Sequence, residues 1–195
     1  LLGRNGMQAR KVFISAGSDA HGQLNTKLGK EMTCVYAPSN SKPNIFNGLK
    51  NGNSYITNNG ALTFTINNKK IGEELNIATG QPVNINIDTN LITGSYIKLY
   101  KGNLNTKQEQ EIYWWYRQNT PISYTDTPTS NSYYRLEAND KSDGTGTKRV
   151  YTNPIWVNIL LDTDGDVIPD VNDNCPLISN PDQKQDFDCD GLIDD

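Results

Sequence analysis

Residues 162–173, Asp-Thr-Asp-Gly-Asp-Val-Ile-Pro-Asp-Val-Asn-Asp, place carboxylates at positions 1, 3, 5, 9 and 12 of a 12-residue segment. Position 7, Ile168, has a backbone carbonyl to offer. A second run repeats the 1-3-5-9 spacing with Asp186, Asp188, Asp190 and Asp194, and Gly191 sits where a sharp turn is needed. Acids at alternate positions let a loop fold around one cation with its oxygens inward. Calcium takes about six to eight hard oxygen ligands at about 2.3–2.6 Å in flexible geometry, whereas magnesium demands a stricter octahedron and keeps waters. The candidate calcium ligands are therefore Asp162, Asp164, Asp166, Ile168, Asp170 and Asp173 in the first loop, and Asp186, Asp188, Asp190 and Asp194 in the second. Two or more ions are expected.

The charge distribution makes the same point. Residues 162–195 hold 11 Asp, no Glu and a single base, Lys184, for a charge of −10. The preceding 161 residues carry +6, against −4 for the whole chain. A stretch this acidic repels itself unless it is disordered or neutralised by bound cations.

The other chemistry-bearing pair is Asp19 and the sole histidine, His21, in the Gly-rich loop Gly17-Ser18-Asp19-Ala20-His21-Gly22. Two apart on extended backbone, both side chains point to one side. A carboxylate and an imidazole together suit zinc or another transition metal. The same spacing also fits an Asp–His hydrogen bond at a strand end.

The acidic tail resembles thrombospondin type 3 repeats. The match rests on the aspartate-rich loops, the Asp173-Asn174-Cys175-Pro176 turn and the Asn180-Pro181-Asp182-Gln183 turn, in that order. The resemblance implies a segment without an apolar core, wrapped around calcium ions in an extracellular setting, and it adds Asp182 to the candidate ligands. Val167 stands where the pattern usually has Gly, and Cys189 lies inside the second loop. Cys175 and Cys189 are 14 residues apart, and a bridge between them would staple a stretch that has almost no core. Cys34, in Met32-Thr33-Cys34-Val35-Tyr36, reads as a buried structural thiol.

Residues 12–66, from Val12 through the Gly-Ser-Asp-Ala-His loop to Asn51-Gly52-Asn53-Ser54-Tyr55-Ile56-Thr57-Asn58, resemble the end of a PHP domain (polymerase and histidinol phosphatase type). Gln81 to Val157, ending in Tyr151-Thr152-Asn153-Pro154-Ile155-Trp156-Val157, resembles the β-rich appendage of such proteins. This likeness implies a metal-dependent phosphoesterase in which Asp19 and His21 are late ligands of zinc, manganese or iron, or Asp19 a ligand and His21 its neighbour. With no second histidine, this chain alone cannot assemble a two- or three-metal site that activates water. It is not catalytic by itself, and would be a hydrolase only if completed by an N-terminal barrel.

The elements that must carry these groups follow from periodicity. Lys11 to Ser15 reads as a short buried strand, and Pro43 to Lys50 as a helix closed by Gly52. From about residue 54 the period changes to two: Leu62, Phe64, Ile66; Val83, Ile85, Ile87; Ile97, Leu99; Tyr134, Leu136; Ile155, Val157, Ile159. Turn clusters such as Asn58-Asn59-Gly60 and Thr79-Gly80-Gln81-Pro82 separate them. Six or seven short strands argue for a mainly β fold, an antiparallel Ig-like β-sandwich. The expected organisation is a PHP-like α/β remnant over 1–53, the sandwich over 54–160, and irregular calcium-binding repeats over 161–195.

Tyr113-Trp114-Trp115-Tyr116 has flat rings able to stack on sugars, and it equally reads as a strand that buries rings on one face. Lys69-Lys70 and Lys148-Arg149 are isolated pairs rather than a basic stripe, so no nucleic-acid partner is expected. No apolar run is long enough to span a membrane. Leu1-Leu2-Gly3-Arg4 lacks the form of a secretory leader, so the chain reads as an internal or processed piece. The functional expectation is a secreted or cell-surface calcium-binding C-terminal portion of a PHP-like phosphoesterase, with the repeats as a calcium-stiffened spacer. The rival is a non-catalytic extracellular structural or adhesive protein, with other extracellular domains or copies of itself as partners.

Overall fold

A computed structural model describes residues 11–18, 30–58, 60–89, 95–116, 121–184, 186 and 188–190. Among these the chain is mainly β, with one helix. The first strand, β1 (Met32–Val35), leads to α1 (Lys42–Lys50) and then β2 (Ser54–Thr57). Pro43 in the first turn of α1 has the backbone angle a helix start needs and lacks an N–H that would go unpaired there. Asn51 caps the other end, and Gly52 follows at φ 73°, where the Phe13 ring packs so closely that a Cβ would collide with it.

The period-two segments all become strands. They are β3 (Leu62–Ile66), β4 (Lys69–Lys70), β5 (Glu74–Ala78), β6 (Val83–Thr89), β7 (Tyr96–Asn103), β8 (Gln108–Tyr116), β9 (Ile122–Asp126), β10 (Ser132–Asn139), β11 (Arg149–Thr152) and β12 (Ile155–Leu160). Four of them form one sheet in the order β4-β3-β6-β9. The other eight form a second sheet, in which β1 pairs with β2, β2 with β11, β10 with β7, and β7 with β8. Every pairing is antiparallel except β12 with β5, which is parallel.

One core draws on the inner faces of both sheets. Phe64, Ile66, Val83, Ile85 and Ile87 from the smaller sheet join Ile97, Leu99, Tyr134, Leu136, Val150, Ile155 and Val157 from the larger, all essentially inaccessible. Their neighbours Thr63, Thr65, Asn84 and Asn86 alternate with them along β3 and β6, as strand geometry requires. The two sheets are also tied by polar groups. The buried Tyr134 of β10 donates from its hydroxyl to Asp126 of β9 (2.6 Å), and Lys101 of β7 reaches the same oxygen (2.7 Å).

Three local expectations are corrected. Residues 11–18 carry no strand: Val12 is 59% exposed, and the backbone is held by side chains instead of a ladder. Ile14 N donates to Asn153 Oδ1 (2.8 Å) and Ala16 N to Thr33 Oγ1 (2.8 Å). Cys34 is half-buried because β1 is an edge strand, packed on the core from its rim. Strands within 54–160 outnumber the six or seven expected. Asn153-Pro154 splits one interior strand into β11 and β12, which lie along opposite ends of β10, and β4 is only two residues long. Asn153 is buried at this break and bonds to Ser54 O and Ser54 Oγ, both at 3.0 Å, so the interruption leaves its amide satisfied.

Candidate calcium site

Beyond Leu160 the described residues hold no helix or strand, and their order comes from side chain–backbone bonds, a few backbone turns and one disulfide. The first acidic loop leaves β12 directly. Leu160 O accepts from Thr79 N (3.1 Å), and Leu161 O accepts from Asp170 N (2.8 Å), which closes the loop on itself. Inside, Asp162, Asp164 and Asp166 each bend the chain by accepting from an amide a few residues on. Asp162 accepts from Gly165 N (2.9 Å) and Val167 N (3.1 Å), Asp164 from Asp166 N (3.1 Å), and Asp166 from Ile168 N (2.8 Å). These are Asx-type turns, the local bonding for which Asp is suited outside regular structure.

The result brings Asp162, Asp164 and Asp166 together, with one carboxylate oxygen from each lying within 4.8 Å of the others. Asp166 is buried. Asp173 adds its charge to that of Asp166 and Asp162 on Asp164. Desolvation, then the repulsion of Asp166, Asp173 and Asp162, raises the Asp164 carboxyl above its ordinary value. Two oxygens have lost solvent without gaining a protein partner: Asp164 Oδ2 and Asp173 Oδ2. Among the described residues no lysine, arginine or histidine pairs with Asp162, Asp164, Asp166 or Asp173. Buried carboxylate oxygens without donors are costly, and a divalent cation is the group that would satisfy them. The donor set, all hard oxygen, fits calcium and offers nothing to a soft metal.

The other expected ligands of this loop are placed differently. Both oxygens of Asp170 accept from Thr163, from its N–H and its hydroxyl, each at 2.7 Å. Ile168 is half-buried next to Pro169. Asp182 is exposed and pairs with Lys184 at 2.8 Å, which holds its carboxyl below the usual range. Asp173 is oriented by groups the spacing did not single out as ligand supports. Its Oδ1 accepts from Cys175 N (2.9 Å) and Gln183 Nε2 (2.8 Å), and Gln183 Oε1 in turn accepts from Asn174 N (3.1 Å). Asn180 N donates to Asp166 Oδ2 (2.9 Å), so the Asn-Pro-Asp-Gln turn buttresses both carboxylates. The motif itself was the available signal for this support.

A second cluster, Asp186, Asp188 and Asp190, also gathers one oxygen from each within 4.8 Å, with Asp186 buried. Asp190 N donates to Asp186 Oδ1 (3.2 Å) and to Asp188 Oδ1 (3.3 Å). A disulfide joins Cys175 to Cys189, with Cα atoms 5.4 Å apart, and pins this cluster to the first loop's flank. Cys175 is fully buried in a stretch otherwise poor in apolar side chains. Asp194, Asp19 and His21 lie outside the described residues.

No helix among the described residues is long and apolar enough to cross a membrane. No curated protein matches the chain. The PHP resemblance gains no support from these comparisons, and neither do zinc, manganese or iron. The acidic segment does match: residues 161–183 fit the family model described as the thrombospondin type 3 repeat.

Proposed function

We propose that this chain is an extracellular calcium-binding module, in which an Ig-like β-sandwich carries a thrombospondin type 3-like segment that calcium stiffens into a spacer. The observation that carries the reading is a pair of buried, partnerless oxygens: Asp164 Oδ2, within the Asp162–Asp164–Asp166 cluster, and Asp173 Oδ2, whose carboxylate acts electrostatically on Asp164. These four carboxylates would hold one ion. Asp186, Asp188 and Asp190, with Asp194, would hold another. Asp170, Asp182 and Ile168 then serve as loop supports or further oxygen donors. The Cys175–Cys189 disulfide, set in a stretch with little core, supports an oxidising compartment.

Calcium supplies charge neutralisation, and the chain's own residues do the rest. Asx turns aim the carboxylates, Thr163 and Gln183 fix Asp170 and Asp173, and the disulfide limits how far the unliganded tail can expand. Binding to the folded loop and not to the expanded one stabilises it by mass action. Titration calorimetry of the protein in chelator-treated buffer should show calcium binding at or below millimolar concentration, lost in Asp164→Asn with Asp166→Asn. Limited proteolysis should shift from resistance in calcium to cleavage beyond residue 161 in chelator. An unchanged digestion pattern together with no heat of binding would refute the reading.

A further inference from the structure

The larger sheet ends in β8, which among the described strands pairs only with β7 and leaves its other edge open. A register shift between Leu99 and Tyr100 leaves Ile112 without a counterpart on β7, and this bulge divides the strand in two. The half before it is polar, Gln108 to Glu111, with Glu109 bonded to Arg135 and Glu111 to Lys98. The half after it is Tyr113-Trp114-Trp115-Tyr116, and the register sends its rings to opposite faces. Tyr113 and Trp115 stand opposite the core residues Leu99 and Ile97, and they reach across to Tyr124 of β9 in the smaller sheet, with ring centroids 5.1 and 6.0 Å from it. Trp114 and Tyr116 lie on the outer face, 6.0 and 5.1 Å from the Tyr96 ring. Tyr113 is 47% exposed, Trp114 54% and Tyr116 49%, so both faces of the open edge carry wet aromatic surface.

From this arrangement we infer that β8 pairs antiparallel with the β8 of a second copy of the chain, across a two-fold axis beside Trp114. Unpaired N–H and C=O groups along an edge are a template for another strand, and natural edges are blunted by Pro, Lys or extreme shortness. Residues 112–116 contain neither Pro nor Lys, in a strand of nine residues. A ligand resting on one face would leave the rings of the other face and the backbone between them in water. An added strand covers all three. The run is also self-complementary. Centred on Trp114, it sets Tyr113 opposite the partner's Trp115 on one face and the two Trp114 rings against each other on the other, and cross-strand aromatic pairs stabilise a sheet. The uncharged stretch Ile112–Tyr116 is bounded in sequence by one acid, Glu111, and one base, Arg117, so an antiparallel copy in this register meets unlike charge at both ends. A register shifted into the polar half would instead set Glu109 and Glu111 against their own copies, like charges directly opposite. Three half-exposed rings, each with about 150–250 Å2 to bury in full, give on the order of 600 Å2 in total from two copies. The new ladder and Tyr96 bring this towards the roughly 1,000 Å2 of a small specific interface, which makes the dimer weak and reversible. Two-fold pairing consumes the same edge on both copies, so association stops at two.

Sedimentation of the intact protein in calcium, followed from micromolar to millimolar concentration, should show a monomer–dimer equilibrium and no larger species. Trp114→Lys and Trp114→Glu, which place like charges across the axis, should each weaken the dimer about tenfold or more, and an equimolar mixture of the two should restore it as a heterodimer. Tyr116→Lys, on the same face, should weaken it as well. In a Cys34→Ser background, Trp114→Cys should form a disulfide-linked dimer under mild oxidation, whereas Glu109→Cys should not. Trp114 and Tyr116 are surface sites, and circular dichroism with the thermal midpoint checks that the variants remain folded. Three results would overturn the inference: a monomer at every concentration; a dimer that Trp114→Lys and Tyr116→Lys leave unchanged; or crosslinking through Glu109→Cys as efficient as through Trp114→Cys.

Discussion

Gln81 donates from its Nε2 to the carbonyl of Val167, 3.2 Å away, while its Oε1 accepts from Ala78 N at the end of β5. One side chain in the β5–β6 turn thus touches both the sheet and the first acidic loop. Gln81→Ala should leave the sheets intact and free the loop. The expected loss is about 1 kcal/mol of loop stability, the usual net value of one such bond. Protease cleavage after residue 161, measured in saturating calcium, should accelerate several-fold while the near-ultraviolet spectrum of the sheets stays unchanged.

Val167 itself is at φ 84°, a region that β-branched residues rarely adopt, and its side chain is half exposed. The left-handed geometry costs an L residue about 1–2 kcal/mol, against about 0.5–1 kcal/mol of extra chain entropy for glycine. Val167→Gly should therefore ease loop closure and lower the calcium concentration at half-saturation by roughly two- to five-fold, as read by calorimetry. A weaker site in the glycine variant would contradict this account of the strain.

The Cys175–Cys189 bridge closes a loop with a sequence separation of 14. Chain-entropy arguments assign a loop of about 15 residues about 3 kcal/mol of stabilisation. Reduction, or Cys175→Ser with Cys189→Ser, should raise the calcium needed to order the tail by tenfold or more. The thermal midpoint of the sheets should move little. Equal calcium titrations for oxidised and reduced protein would show the bridge to be irrelevant to the site.

Asp126 is one of the carboxylates that make the sheets sensitive to acid. Burial alone would raise its carboxyl, but the Lys101 ion pair and the Tyr134 hydroxyl outweigh it and hold the carboxyl below the usual range. A folded value below the unfolded one means stabilisation that is fully present above about pH 4 and lost as pH falls through the folded value. Asp126→Asn should cost about 1.5–3 kcal/mol near neutrality. It should also flatten the decline of stability below pH 4, measured by urea unfolding across pH 2–7. Tyr134→Phe should cost about 1 kcal/mol and leave most of that pH dependence, because Lys101 remains.

The alternation of Phe64, Ile66, Ile85, Ile87, Leu99 and Leu136 was legible because one buried face imposes period two on a strand, and all six are inaccessible. β8 and β9 were less visible: β8 is an edge with both faces partly wet, so its residues need not alternate. Lys11 to Ser15 misled for the opposite reason. Apolar residues there pack singly, Phe13 onto Gly52, while the backbone finds side-chain partners 17 and 139 residues away, which no local pattern encodes. In the tail, the alternate-position spacing made the clustering of Asp162, Asp164 and Asp166 legible, because a loop places its own carboxylates. The supports for Asp173 come from Gln183, 10 residues on, and spacing within the loop is blind to them.

β12 runs into the acidic loop within two residues of Leu160, and it is gripped on both edges, by β10 over Ile155–Val157 and by β5 over Trp156–Leu160. Tension arriving from the tail would pull along this strand, across its hydrogen bonds, and would load them in shear together instead of peeling them one at a time. The parallel β5–β12 pair, the one exception among the described strands, thereby places the root of the acidic segment inside the sheet rather than at its margin, so a load on that segment would be shared by two ladders at once.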